Sequence, residues 1–281
     1  MTGRVALVTD SSANLDAGVL TAHAVSVVNL RLTIDGVDHR EDGQVDAGEV
    51  TAALRRKSSV LTSRPSPQAF AAEYARLARE GASAIVSVHL SAAVSGTYDS
   101  AVLAAREAPV PVEVVDSRAL ELALGFSVLA AAEVAAGGGS AADVAAAARD
   151  RAGRSTSLFY VDTLEHLRRG GRVGAARALL GSALAVKPLL HVRDGQIEVL
   201  EKVRTSARAR SRLEDLAVAA AGSSPVDVAV EHLDDALRAG ELAARLRARV
   251  PELGDLVVRE VGAAVGAHVG PGMLAVIVAP R

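Results

Sequence analysis

At 281 residues, half of them hydrophobic, the chain exceeds what one modest core needs, and two α/β domains are expected rather than one large one. Its formal net charge of -2 lacks the basic excess of a general polyanion-binding protein, and the absence of cysteine excludes disulfides, zinc-thiolate sites and thiol nucleophiles. With no Trp, three Tyr and three Phe, the interior must be aliphatic, and Ala, Val and Leu together suit alternating helix and strand.

In chain order, Val5 to Val8 reads as a short buried strand that ends in the polar turn Thr9-Asp10-Ser11-Ser12 and leads to a helix near Leu15 to Ala22. Val25 to Ile34 alternates and ends at Asp35-Gly36, a hairpin signal with Val37 to Arg40 as the return strand. A helix near Glu49 to Lys57 precedes Leu61-Thr62-Ser63-Arg64-Pro65-Ser66-Pro67, where Ser66 caps and Pro67 opens a helix running to about Glu80. Strand Ala84 to Leu90, helix Ser95 to Glu107, strand Val112 to Val115, and helices Ala119 to Ala136 and Ala141 to Ala152 follow. This rhythm of strand, polar turn and helix implies a parallel sheet with helices on both faces and a site beyond the carboxyl ends of its strands.

After about Ser155 the pattern changes. Strand Leu158 to Val161, a basic segment Leu167 to Arg177, and a hairpin of Val186 to Val192 with Ile197 to Lys202 around Asp194-Gly195 come first. Helix Ser206 to Ala220, strand Val226 to Val230, helix Asp235 to Arg249, and strands Leu256 to Val261 and Met273 to Val278 complete it. The expected fold is therefore a three-layer α/β/α domain over residues 1–154 and a smaller two-layer α/β domain over 155–281. The N-terminus enters a strand pattern at once, and the apolar run Val128 to Ala136 is interrupted by Glu133 and closed by Gly137-Gly138-Gly139, so neither a signal peptide nor a membrane span is expected. A cytoplasmic protein with no integral membrane segment is the reading.

Three polar clusters invite chemistry, all of them read as loops. Thr62 to Ser66 reads first as simple helix capping, since Ser before Pro is common there, with a functional loop as the second reading. His89 to Tyr98, with Ser95, Gly96 and Thr97, gathers hydroxyls and free amides at a strand-to-helix turn, as an oxyanion requires, although an ordinary turn looks the same. Gly266 to Gly272 frames His268 with glycines that let the backbone approach a ligand, whereas a lone histidine is more often structural. Basic residues gather at Arg168, Arg169, Arg172 and Arg177 and at Lys202, Arg204, Arg208, Arg210 and Arg212. A solvated face suits Arg208 to Arg212, while Arg172 and Arg204 sit beside turns and could face a phosphate or an acidic partner. No nucleophile elbow, phosphate loop, dinucleotide turn or zinc helix motif occurs.

In order and spacing, Thr9-Asp10-Ser11, Thr62-Ser63-Arg64-Pro65-Ser66, Ser95-Gly96-Thr97-Tyr98-Asp99-Ser100-Ala101, Asp116-Ser117, Gly170-Gly171-Arg172-Val173, Lys187-Pro188, Lys202-Val203-Arg204-Thr205 and His268-Val269-Gly270-Pro271-Gly272 resemble the DegV family over nearly the whole chain. The resemblance implies a fatty acid bound between two domains, its tail in the first and its carboxylate held by Thr62, Ser95 and His268, with Ser63 and the Gly96 and Thr97 amides as neighbours. It implies no cofactor and no catalysis by this chain itself. A separate ATP-dependent fatty acid kinase would phosphorylate the bound carboxylate to an acyl phosphate, with Arg172 and Arg204 facing that kinase or the new phosphate. An acyltransferase of phospholipid synthesis is a further candidate partner, met in transient contact with the membrane surface. Arg64 departs from the family, where glutamine is common, and adds a positive charge near the head group. One rival is an enzyme of small carbonyl compounds related to a dihydroxyacetone kinase subunit, in which His268 would attack a carbonyl. The other is a DNA-binding regulator resting on Arg55-Arg56-Lys57 and the arginines near Arg208. The net charge and the lack of a helix-turn-helix pattern argue against nucleic acid.

Overall fold

The computed structural model of the chain describes residues 3–41, 45–174 and 187–281. Its elements are β1 (Val5–Asp10), α1 (Ala17–Ala22), β2 (Val25–Val28), β3 (Arg31–Ile34), β4 (Val37–Arg40), α2 (Ala47–Arg55), β5 (Val60–Ser63), α3 (Pro67–Arg79), β6 (Ala84–His89), α4 (Thr97–Ala105), β7 (Val112–Asp116), α5 (Leu122–Ala136) and α6 (Ala141–Arg154). They continue with β8 (Thr156–Tyr160), α7 (Glu165–Arg169), β9 (Lys187–Arg193), β10 (Gln196–Val203), α8 (Ser206–Ala221), β11 (Val226–His232), α9 (Ala236–Arg249), β12 (Leu253–Glu260), α10 (Ala263–Val269) and β13 (Leu274–Pro280). Among the described residues no helix is long and apolar enough to cross a membrane. The expected Arg177 and Val186 lie outside the described residues.

Two compact units result. The first draws on Met1–Arg31, Arg40–Asp42 and Ser63–Gly153, the second on Leu32–His39, Gly43–Thr62 and Arg154–Arg281. The chain thus enters the second unit early, through β3, β4, α2 and most of β5, before returning to it near Arg154.

The first unit carries an all-parallel sheet in the order β2-β1-β6-β7. Alternation along the strands divides its residues between two faces. Ala6, Val8, Val28 and Ile85 pack with Phe70, Tyr74 and Leu77 of α3 and Ala101 and Ala104 of α4, while α5 lies against β1 and β6. Ser66 caps α3 by accepting from the Ala69 amide at 3.3 Å, and Pro67 stands at its start. Replacing Ser66 by alanine should cost about 1 kcal/mol of stability, read from thermal or urea unfolding.

The run from Val25 to Ile34, expected as one strand, is two. At Leu30 the backbone amide donates to Ser11 Oγ at 2.9 Å and the carbonyl accepts from the Glu41 amide at 3.1 Å, so the ladder stops there. β3 then joins a three-stranded sheet in the order β4-β3-β5. The helix expected from Ala119 begins only at Leu122, because Arg118 and Glu121 both take positive φ, at 53° and 51°.

The second unit is built on a mixed six-stranded sheet, β10-β9-β8-β13-β11-β12, antiparallel except for the β11–β12 pair. Leu158, Tyr160, Val226, Val228, Val230, Leu274, Val276 and Val278 form one core with Ala209, Leu213 and Ala217 of α8 and Ala239, Leu242 and Leu246 of α9. α10 packs against α2 and α7 in the same unit.

Candidate functional site

Within the second unit, β5 and α10 bring together two of the expected residues. Thr62, next to last in β5, and His268, in the last turn of α10, stand with Thr62 Oγ1 2.7 Å from His268 Nε2. The segment Gly266 to Gly272 was expected as a loop, and its first half is instead helical. A glycine inside a seven-residue helix weakens it, but α10 is held by its packing against α2 and α7, with Leu233 beside Gly266. Gly270 ends it at φ 76°, with the ring of His166 lying where its side chain would be.

The far side of the His268 ring is closed by the glycine turn after α7. A methyl group on Gly170 would overlap His268 Nδ1, and Nδ1 has no hydrogen-bond partner among the described residues. Arg172 donates from Nη1 to the Gly170 carbonyl at 2.6 Å, which places its charge near the imidazole. Burial, aided by that charge, pushes the His268 pKa down to about 4. The imidazole is therefore neutral at pH 7. With the proton on Nε2, it donates to Thr62 Oγ1, and the threonine hydroxyl proton is free to donate to an incoming oxygen.

Gly170→Ala should displace the ring from Thr62. The expected result is a folded protein about 1 to 2 kcal/mol less stable, in which the His268 imidazole proton signals shift in an NMR spectrum. An unchanged imidazole environment would show that the ring does not rest on this glycine. His166 is a residue that the sequence reading missed. It is half-buried, its pKa is lowered by burial and by Arg169, and nothing in its neighbourhood in sequence marks it out.

Within the first unit, Ser95, Gly96 and Thr97 meet at the start of α4. Ser95 Oγ lies 2.9 Å from Thr97 Oγ1 and accepts from the Thr97 amide at 3.3 Å. Gly96 occupies the cap position without a side-chain cap, and the Arg64 guanidinium lies over its Cα, in the space a side chain would fill. Arg64 is exposed, and among the described residues it makes no ion pair. Ser63 is exposed as well, and Thr62 and Ser63 are the adjacent residues at which the chain passes from one unit to the other.

The basic residues divide. Arg168 and Arg169 pair with Glu165, and Arg212 with Glu201, so they are accounted for by local structure. Lys202, Arg204 and Arg208 are exposed, and among the described residues they make no ion pair. Arg204 immediately precedes Thr205, whose hydroxyl caps α8 by accepting from the Arg208 amide at 3.2 Å.

A family model described as "Uncharacterised protein, DegV family" matches residues 4–281. The chain belongs to the DegV family. A DegV domain-containing protein of Streptomyces coelicolor is 53% identical over 281 residues, covering 100% of both chains. One from Mycobacterium tuberculosis is 37% identical over 275 residues, 98% of this chain and 96% of that one. Among solved structures, a DegV family protein of Thermus thermophilus, described by its fatty acid binding, superposes with a TM-score of 0.90 at 33% identity, covering 99% of this chain and 100% of that one. DegV of Bacillus subtilis, described as a fatty acid binding protein, gives 0.91 at 31% identity over the same shares. The α/β architecture with a parallel sheet is that of the DegV structures, and the motifs carrying Thr62, Ser95 and His268 fall inside the matched length.

Proposed function

We propose that this DegV-family protein binds a long-chain fatty acid, buries the acyl chain in its first unit and presents the carboxylate to a separate ATP-dependent kinase for conversion to an acyl phosphate. Thr62, Ser63, Ser95, Gly96, Thr97 and His268 are the groups assigned to the carboxylate, and Arg172 and Arg204 those assigned to the kinase or the new phosphate. The observation that carries this reading is the pairing of Thr62 with a neutral His268, which offers a hydroxyl donor without a full positive charge. Thermus and Bacillus relatives at 33% and 31% identity, both described as binding fatty acids, support the substrate class.

The energetics divide between the ends of the ligand. Each buried methylene contributes about 0.8 kcal/mol, so about fourteen give on the order of 11 kcal/mol before the costs of association. Hydrogen bonds to the charged head contribute about 1.5 to 3 kcal/mol each and fix its direction. Neutral donors leave more electron density on the carboxylate than an arginine clamp would, which favours attack by its oxygen on the γ-phosphorus of ATP with ADP as leaving group. The acyl phosphate would then serve an acyltransferase of phospholipid synthesis, met by a cytoplasmic protein in transient contact with the membrane surface.

Protein purified without detergent and denatured for mass spectrometry should release close to one fatty acid per chain. Lipid-free protein that also fails to take up palmitic acid would overturn the reading. Arg204→Ala should keep its lipid while acyl-phosphate formation with the kinase weakens by roughly tenfold, the size of one lost charge-assisted contact.

A further inference from the structure

A chain of buried polar side chains runs through the first unit at the carboxyl ends of β1 and β6, behind the turn that carries Ser95. Tyr74 Oη donates to Ser87 Oγ at 2.8 Å, Ser87 Oγ lies 2.7 Å from His89 Nε2, and His89 Nδ1 lies 2.9 Å from Asp10 Oδ2. All four are fully buried. Burial pushes the Tyr74 hydroxyl up to about 12, so it stays a neutral donor. Read from that end, each hydroxyl or N–H donates to the next group and the series ends on the Asp10 carboxylate.

The acceptors of Asp10 are spent on the backbone as well. Oδ2 also accepts from the Leu90 amide at 3.1 Å, and Oδ1 accepts from the amide and hydroxyl of Ser12. Leu90 is the first residue past β6, so one buried carboxylate fixes where that strand ends. The following residues are tied from the other side. Asp116 Oδ1, at the end of β7, accepts from the Ala92 amide at 3.1 Å and the Arg118 amide at 2.9 Å, and the Ser91 amide donates to the Ala119 carbonyl at 3.0 Å. Ser117 Oγ donates to the His89 carbonyl at 2.7 Å. The amides of Val94 and Ser95 then both bond the Ser91 carbonyl, which leads the chain directly into Gly96 and Thr97.

We propose that Asp10, His89 and Asp116 are positioning residues that aim the Ser95-Gly96-Thr97 turn at the ligand's head group without touching it. Three loops, from three adjacent strands, are tied together by two carboxylates, and the turn hangs from that joint. A residue built only into the core would gain little from spending its hydrogen bonds on the backbone just ahead of a functional turn. The proposal rests on the head-group reading above, and it predicts selectivity: misaiming the turn harms a carboxylate ligand and spares one that has the same tail and no charge.

The test uses delipidated full-length protein titrated with palmitic acid and with hexadecan-1-ol. Asp10→Asn and Asp116→Ala are each expected to weaken palmitic acid binding by about tenfold, a misdirected hydrogen bond to a charged group, with hexadecanol affinity unchanged. His89→Ala should behave the same way, and His89→Asn, whose amide N–H can replace Nδ1–H toward Asp10, should recover most of the loss. Asp116 is only partly buried, so its variant carries the test should Asp10→Asn fail to fold. Unchanged palmitic acid affinity in the folded variants, or an equal fall for both ligands, overturns the proposal. Wild-type protein that holds the acid no tighter than the alcohol overturns the head-group reading itself, and the positioning role with it.

Discussion

Delipidated His268→Ala protein is expected to bind palmitic acid roughly 10- to 150-fold more weakly than the parent, the range that one lost hydrogen bond to a charged group spans. The reasoning starts at the 2.7 Å contact between Nε2 and Thr62 Oγ1. With the imidazole in place and its proton on Nε2, the threonine oxygen accepts one hydrogen bond, and its own proton is directed outward. Without the imidazole the hydroxyl rotates freely, and the ligand loses an oriented donor as well as a neutral dipole. Thr62→Ala should fall in the same range. The double variant should be little worse than either single one, because both remove the same interaction and its energy is not counted twice. His268→Gln, whose amide N–H reaches toward Nε2, should recover part of the loss, and Thr62→Ser most of it. Calorimetric titration checks all five, with circular dichroism confirming that each variant is folded. Near-wild-type affinity in folded His268→Ala would take this histidine out of the site.

The parallel sheet of the first unit was legible because its strands are short aliphatic runs, Val5 to Val8, Ala84 to Leu90 and Val112 to Val115, each closed by a polar turn. β5 was not. Its four residues lie between a basic segment and Pro65 and expose Leu61, so neither length nor alternation sets them apart, and what makes them a strand is pairing with β3. α10 was hidden for a different reason. Glycine and alanine carry no period, and its helical state depends on close packing against Leu233, α2 and α7 that no local pattern reports. The sequence could therefore place Thr62 and His268 in motifs without showing the geometry that joins them across 206 residues. Asp10 and His89 were likewise visible as strand ends. Their contact follows only from the sheet order, which sets β1 beside β6.

Stability should decline as the pH falls from 6.5 toward 4, by on the order of 3 kcal/mol in all and about 2 kcal/mol by pH 5, on account of His268 alone. In the unfolded chain its pKa is the ordinary 6.5, and in the fold it is pushed down to about 4, first by burial and then by the Arg172 charge. Above 6.5 the ring is neutral in both states and the contribution is complete. Between the two values the unfolded chain takes up a proton that the folded one refuses, so the balance shifts toward unfolding. Below about 4 both states are protonated and the decline stops. His166, lowered by burial and Arg169, acts in the same direction. Glu165 cannot account for the upper part of the window. Hydrogen bonds from Arg168 and Arg169 hold it at about 2, and its contribution is lost only below the ordinary carboxylate value of 4.5. Urea unfolding at pH 7, 6 and 5 measures the slope, and His268→Gln should remove most of it. An equal slope in that variant would mean that the imidazole takes its proton as readily in the fold as outside it, and with that the neutral partner of Thr62 would be lost.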